Sequence, residues 1–228
     1  MSSLGIIPIR YQSKRLPNKT FRLVGKKPLI DWTLDVVTQS DIDDFIVVTS
    51  CKNIREYCDK KHVKSVFRPV GLESDSASVI DTVMWLNELQ MNNAFDIQML
   101  LQITNPTRTI EDVNVSLEMF ELGGVNSVAS IVNVGEWNPV RMYYKCMGGR
   151  LQALHPSQQW GNTQQLSKTY LRDGSIYAWR TQALLKQYGR TLLPDLCMGY
   201  EIEPERSVRI DTETDLRRAE SVLTAGAV

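Results

Sequence analysis

Short, continuous apolar runs alternate along the chain with longer amphipathic stretches. LGIIPI (4–9) is apolar throughout, the pattern of a strand covered on both faces. PLIDWTLDVVTQS (28–40) places Leu29, Thr33 and Val37, with Ile30 and Leu34 beside them, on one helical stripe, and Pro28 sits at the expected first helical position. DFIVVTS (44–50) reads as a second buried strand, CKNIREYCDKKH (51–62) as a helix behind it, and SVFRP (65–69) as a short third strand. Ser78 followed by Asp81 has the form of a capping box opening the helix VIDTVMWLNELQ. DIQMLLQI (96–103) is the next strand. Thr109 and Asp112 cap a further helix through about Leu122, Gly123-Gly124 end it, and SVASIV (127–132) follows as a strand.

This alternation implies an α/β domain spanning residues 1–228, with a mostly parallel sheet covered by helices on both faces. Such sheets bind ligands at the carboxyl ends of their strands. The rhythm breaks after Val134. RMYYKCMGGRLQAL (141–154) reads as a hairpin with Gly148-Gly149 as a two-residue turn, and residues 135–170 form an appendage to the sheet domain. A lone hairpin is marginally stable, so it is expected to pack on something, a second copy of the chain being the natural choice. The α/β pattern resumes with SIYAWR, a helix around TQALLKQYG, the segment MGYEIEP, and SVRI leading into a last helix, TETDLRRAESVLT.

Composition narrows the function classes. With 228 residues, 43% apolar and 23% charged, the chain can bury a core without disulfides or structural metal. Its 26 lysines and arginines balance 26 acids, which argues against a nucleic-acid binder with a broad basic face. No run approaches a membrane span and Met1–Arg10 does not read as a signal peptide, so the expected location is the cytoplasm, with no membrane partner. Cys51, Cys58, Cys146 and Cys197 are scattered and read as reduced thiols. His62 and His155 are the two histidines, and His62 sits in a charged segment that reads as a solvated helix end, which leaves a Ser-His-Asp or Cys-His hydrolase poorly supported. Asp41-Ile-Asp43 has the form of a glycosyltransferase D-x-D motif but precedes its strand, where a polar turn is the better reading.

Against this balance, IIPIRYQSKRLPNK (6–19) gathers Arg10, Lys14, Arg15 and Lys19 with no acid, directly after the first strand. Arginine offers a planar fork of donors, lysine a mobile point charge, and Ser13 a hydroxyl, a set suited to a small, highly charged anion such as a triphosphate. A solvated basic loop has the same composition. The spacing is not that of a Walker loop.

The loop resembles the signature A-R-x-x-S-K-R-L-P-x-K-N of the acylneuraminate cytidylyltransferase family, which activates sialic acids and related nonulosonic acids. Four more blocks follow in the family's order: FRPVGLESDSAS (67–78), LLQITNPTRTIEDV (100–113), RDGSIYAWR (172–180) and VRIDTETDLRRAE (208–220). The resemblance spans nearly the whole chain and implies a nucleotidyltransferase fold and a homodimer whose hairpin reaches the neighbour's crevice. It implies that CTP and a 2-keto-3-deoxy sugar acid react to a CMP-sugar and pyrophosphate, with Mg²⁺ (or Mn²⁺). By the same resemblance Arg10, Lys14 and Lys19 hold the triphosphate with Ser13 and Arg15 nearby, and Arg68 and Ser76 contact the nucleotide. Gln102, Arg141, Gln165, Asp173 and Tyr177 face the sugar acid, and Asp211 is the metal ligand. Simpler roles exist for several: Arg68 as an exposed strand-end residue, Ser76 as a helix-start polar group, and Asp211 or Thr212 as the cap of the last helix.

Four positions depart from the family pattern. Arg209 replaces the first carboxylate of I-D-x-D, Thr20 and Asp173 each replace an asparagine, and Thr163 replaces an arginine aimed at the acceptor. Asp173 and Thr163 fall on the sugar side while the triphosphate side is nearly intact, so CTP use is expected to be kept, and the expected acceptor is a sialic acid or related nonulosonate that need not be ordinary N-acetylneuraminate. Alternatives are a cytidylyltransferase for another 3-deoxy sugar acid and a CTP-binding regulator without turnover.

Overall fold

The fully buried apolar runs build the centre of the molecule. The computed structural model describes residues 1–10, 13, 15–73, 78–89, 94–156, 166–187 and 191–226. The chain passes through β1 (Ser3–Ile9), β2 (Leu23–Val24), β3 (Lys27–Pro28), α1 (Leu29–Gln39), β4 (Asp44–Thr49), α2 (Lys52–Lys60), β5 (Ser65–Phe67), α3 (Val79–Glu88) and β6 (Ile97–Leu100). It continues through α4 (Ile110–Glu118), β7 (Ser127–Asn133), β8 (Tyr143–Lys145), β9 (Leu151–Ala153), β10 (Tyr170–Arg180), α5 (Thr181–Lys186), β11 (Cys197–Glu201) and α6 (Glu213–Thr224).

Among the described residues seven strands form one sheet in the order β11-β7-β10-β6-β1-β4-β5. β10 alone runs against its neighbours β6 and β7, and the other pairings are parallel. The parallel strands therefore end at one edge, and β10 begins there. Alternate residues of β1 serve the two faces: Ile7 and Ile9 join Ile30, Leu34 and Met99, whereas Leu4 and Ile6 join Val83, Leu86 and Trp179. Each large apolar side chain so buried contributes roughly 1.5–3 kcal/mol. A third cluster sits at the functional edge, where Leu16 and Val24 pack on Val208, Ile210 and Leu216.

Several local expectations are corrected. Pro28 lies in β3 and precedes the helix as its N-cap, because its extended ψ of 146° closes a β2–β3 pair before α1 begins. The hairpin turn is a three-residue loop, 147–149: Cys146 N–H bonds to Arg150 C=O at 2.8 Å, and both glycines adopt positive φ, so the pairing closes one residue further out than a two-residue turn would. SVRI forms no ladder; Ser207 and Val208 bond back to Glu203 and Arg206, and Ile210 N–H crosses to Thr104 C=O at 2.8 Å. Cys146 and Cys197 are exposed, unlike the buried Cys51 and Cys58. The three capping boxes are present at Ser78, Thr109 and Thr212. His62 occupies a left-handed turn after α2, exposed as read. Asp43 binds Ser3 N–H at 2.7 Å, at the start of β1 and so at the far edge of the sheet from the basic loop.

Candidate active site

The basic loop leaves β1 at the edge where β6 also ends, and a cleft of about 300 Å³ opens between them. Arg10 and Ser13 from the loop, Lys19 and Thr20 beyond it, Arg68 after β5 and Gln102 after β6 line this cleft. Local chemistry sets the loop's shape. Ser13 Oγ accepts Leu16 N–H at 3.3 Å, Leu16 is sunk in the third apolar cluster, and Asn18 takes the left-handed conformation that asparagine tolerates best after glycine. A 3₁₀ turn over Lys19–Phe21 follows and directs Lys19 inward. Arg68 is 1% exposed, not an exposed strand end, and its Nη1 donates to Thr82 Oγ1 at 3.0 Å. Among the described residues the cleft lining carries three cations and no acid.

Lys19 joins the loop to the far end of the chain. Its Nζ donates to Asp211 Oδ1 at 2.9 Å and to Ile210 C=O at 2.7 Å. Arg209 Nε lies 3.3 Å and Arg15 Nη1 3.7 Å from Asp211 Oδ2. Lys19 and Arg15 thus reach Asp211, Lys19 across 192 positions of sequence, beside the packing of Leu16 on Val208 and Ile210. Asp211 also begins α6: its N–H, with Thr212 N–H, donates to Asp215 Oδ2. Burial pushes the Asp215 carboxyl up, and those bonds with the Thr212 hydroxyl and the nearby Arg209 more than reverse it, leaving it below the usual carboxylate range.

Behind Asp211 a second cleft of about 360 Å³ is lined by Arg15, Arg172, Asp173, Arg209, Asp211 and Asp215, among others. Because β10 is antiparallel, its first residues arrive at this edge. A bulge between Arg172 and Tyr177, with Gly174 at φ +88°, turns the strand there. Asp173 is 7% exposed; it accepts from Ser130 Oγ, Ser175 N–H (3.0 Å) and Ser175 Oγ (2.7 Å), so its carboxylate organises the bulge. Tyr177 is half-buried, its phenol pushed up by burial. Arg141 ends a short exposed turn and lines neither cleft. Lys14, Ser76, Thr163 and Gln165 lie outside the described residues.

Two arginines, the buried Arg108 and the half-buried Arg206, hold the arrangement, and neither is singled out by the sequence. Arg108 Nη2 donates to Gln102 C=O at 2.7 Å and its Nε to Ser175 C=O at 2.9 Å, tying the end of β6 to the bulge. Burial brings its guanidinium down to about 10, against the opposing pull of Asp173 and Asp112. Arg206 grips Asp112 with two bonds of 2.8 and 2.9 Å, and Tyr200 Oη donates to the same carboxylate at 2.9 Å. This ion pair clamps residues 203–211 onto the loop after β6. The apolar spacing of Thr107–Arg108 offered no hint that either guanidinium would be enclosed. Among the described residues no cluster of three or more His, Cys, Asp or Glu could hold a metal, and no helix is long and apolar enough to cross a membrane.

The chain is 26% identical over 219 residues to an N-acylneuraminate cytidylyltransferase of Streptococcus agalactiae serotype V, covering 94% of this chain and 52% of that protein. It thus spans about half the length of the curated relatives that it matches most fully in this group. A CMP-N,N'-diacetyllegionaminic acid synthase of Legionella pneumophila is 37% identical over 136 residues, 58% of each chain. Among solved structures, a CMP:2-keto-3-deoxy-manno-octonic acid synthetase complexed with CTP superposes with a TM-score of 0.72 at 18% identity, covering 100% of both chains, a likeness of fold. The family described as cytidylyltransferase matches residues 4–208, from the first strand through the segment that leads to Asp211, and the chain belongs to that family.

Proposed function

We propose that this chain transfers CMP from CTP to the anomeric hydroxyl of a 2-keto-3-deoxy sugar acid, a sialic acid or related nonulosonate, and releases pyrophosphate. The observation that carries the reading is the cleft where Arg10, Lys19 and Arg68 meet with no acid in its described lining, joined through Lys19 to Asp211. A triphosphate is held by converging cationic donors, and this cleft supplies three. The sugar hydroxyl attacks the α-phosphorus, the new O–P bond forms, and the bond to the pyrophosphate oxygen breaks. Charge then builds on the leaving phosphates, and Arg10 and Lys19 stabilise it. Lys14 and Ser76 are assigned to the same nucleotide by resemblance alone. Gln102, whose backbone C=O is held by Arg108, lines the nucleotide cleft and is assigned to the acceptor by resemblance alone.

Asp211 is the residue that would hold Mg²⁺ (or Mn²⁺). Magnesium is usually bound by one or two carboxylates together with substrate phosphates, and a single carboxylate at the border of the nucleotide cleft fits that pattern. When bound it would neutralise phosphate charge. The chain's own cations, Lys19 and Arg209, already share the carboxylate.

The reading includes a homodimer formed through β8 and β9, a pair that stands apart from the main sheet. Met147 is 92% and Trp137 78% exposed there, beside Tyr143, Tyr144 and Leu151, an apolar surface of the sort that partners cover. It also includes the cytoplasm, in keeping with four free cysteines. Pyrophosphate release from CTP with a panel of sugar acids, and mass detection of the CMP product, tests the activity. CTP binding without product for any acceptor supports instead a regulator that no longer turns over.

A further inference from the structure

The two clefts meet at one carboxylate and differ in charge. Among the described residues the first is lined by three cations without an acid, whereas the second sets Arg15, Arg172 and Arg209 against Asp173, Asp211 and Asp215. Those acids are already engaged: Asp173 by the serines, Asp215 by the α6 cap and Asp211 by Lys19. A cleft with no surplus charge is unsuited to a triphosphate and suited to a single carboxylate. Two of its guanidiniums, Arg172 and Arg209, come from β10 and from the segment before α6. Arg172 stands 6.0 Å from the Tyr177 ring centre and forms no ion pair among the described residues, and Arg209 is 62% exposed with its Nε on Asp211. Both also act on the Tyr177 phenol, where they oppose the effect of burial.

We infer that Arg172 and Arg209 seat the carboxylate of the sugar-acid acceptor in this second cleft. The inference rests on the transferase reading above and names how its acceptor is held. In the cyclic form of a 2-keto acid the carboxylate and the reacting hydroxyl are on the same carbon. Guanidiniums that grip the carboxylate therefore fix the hydroxyl as well. Arg209 is on one oxygen of Asp211 and Lys19 on the other, so an acceptor seated on Arg209 lies against the wall of the nucleotide cleft. Arg209 and Arg172 are then specificity residues that favour acceptors with an anomeric carboxylate.

The test uses Arg172→Gln, Arg209→Gln and Arg209→Lys in the full chain, with N-acetylneuraminate, N,N'-diacetyllegionaminate and 3-deoxy-manno-octulosonate as acceptors. Arg172→Gln is the sharper variant because it does not touch Asp211. Expected is a rise in acceptor KM on the order of ten- to a hundredfold for each glutamine variant, with the calorimetric Kd for CTP within about twofold of the parent. Arg209→Lys recovers part of the loss. An unchanged acceptor KM overturns the inference. So does a weakened CTP Kd with the acceptor KM unmoved, which would mean that the cleft takes phosphate. If the parent makes no CMP product from any acceptor, the transferase reading fails. The seat is then read by saturation-transfer NMR of N-acetylneuraminate on the CTP-loaded chain. Signal in the parent that Arg172→Gln abolishes supports the seat; signal kept in the variant, or absent from the parent, ends it.

Discussion

The nucleotide cleft and the cleft behind Asp211 are built in opposite ways. The first draws most of its lining from one stretch, residues 8–20, completed by the buried Arg68 and the end of β6, and its described lining carries three cations and no acid. The second is assembled from three remote segments, around residues 15, 172 and 209, and balances its charges. The difference follows from what each would hold. A polyanion is gripped wherever cations gather, so a short contiguous loop suffices. A singly charged, hydroxylated acceptor must be oriented, and that requires groups arriving from several directions.

The largest expected effect comes from the clamp on the second cleft. Arg206→Ala leaves Asp112, 1% exposed, as a buried carboxylate without its cation, and should cost about 3–5 kcal/mol in denaturant unfolding. Residues 203–211 lose their anchor in that variant, so acceptor turnover should fall before CTP binding does. A loss below about 1 kcal/mol would mean that the pair does not hold the segment. Lys19→Ala acts on the other side. It removes a cleft cation and frees Asp211 Oδ1, and turnover should drop roughly a hundredfold or more while stability changes little. Parent-like turnover in that variant would detach the basic loop from the chemistry.

These two residues also show how far the sequence could be read. Lys19 was legible because its neighbours from Arg10 to Pro17 form a contiguous motif after a strand, and strand ends in α/β sheets face ligands. The alternating pattern likewise carried the sheet, its helices and the three caps. What stayed hidden was long-range. The reversal of β10 has no signature in SIYAWR, since a buried strand reads the same in either direction. Without that reversal Arg172 would not reach the functional edge. The enclosure of Arg108 and Arg206 was equally unreadable, because their partners are a carbonyl at Ser175 and a carboxylate 94 residues away. The joining of Arg15 and Lys19 to Asp211 depends on Leu16 packing against Val208 and Ile210, a contact that neither local pattern encodes.

Acid titration sharpens the comparison at intermediate cost. Burial pushes the Asp112 carboxyl up, and the bonds from Arg206, Thr109 N–H and Tyr200 reverse this and hold it below the ordinary value. A depressed folded value means that its contribution is full above the unfolded carboxyl range, near pH 4, and is lost as pH falls through the folded value. Stability measured from pH 6 downward should therefore fall more steeply below about pH 4 in the parent than in Asp112→Asn. Equal slopes would remove the pair from the acid response.

The smallest effect asks whether helix capping and site chemistry are separable at Asp211. Thr212 Oγ1 accepts Asp215 N–H at 3.3 Å, and Asp215 Oδ2 takes the N–H groups of Asp211 and Thr212 at 3.0 and 2.8 Å. Thr212→Ala removes one arm of that box and should cost about 1 kcal/mol, with CTP turnover near the parent's, because the carboxylate of Asp215 still anchors Asp211. Asp215→Ala removes the anchor itself. Its stability loss should be of similar size, but Asp211 then loses its backbone acceptor beside Lys19 and Arg209, and turnover should fall several-fold as well. Unequal turnover at equal stability would show that Asp215 places Asp211 in addition to starting α6. If both variants turned over alike, the cap would serve the helix alone, and Lys19 and Arg209 would be sufficient to position the carboxylate that the two clefts share.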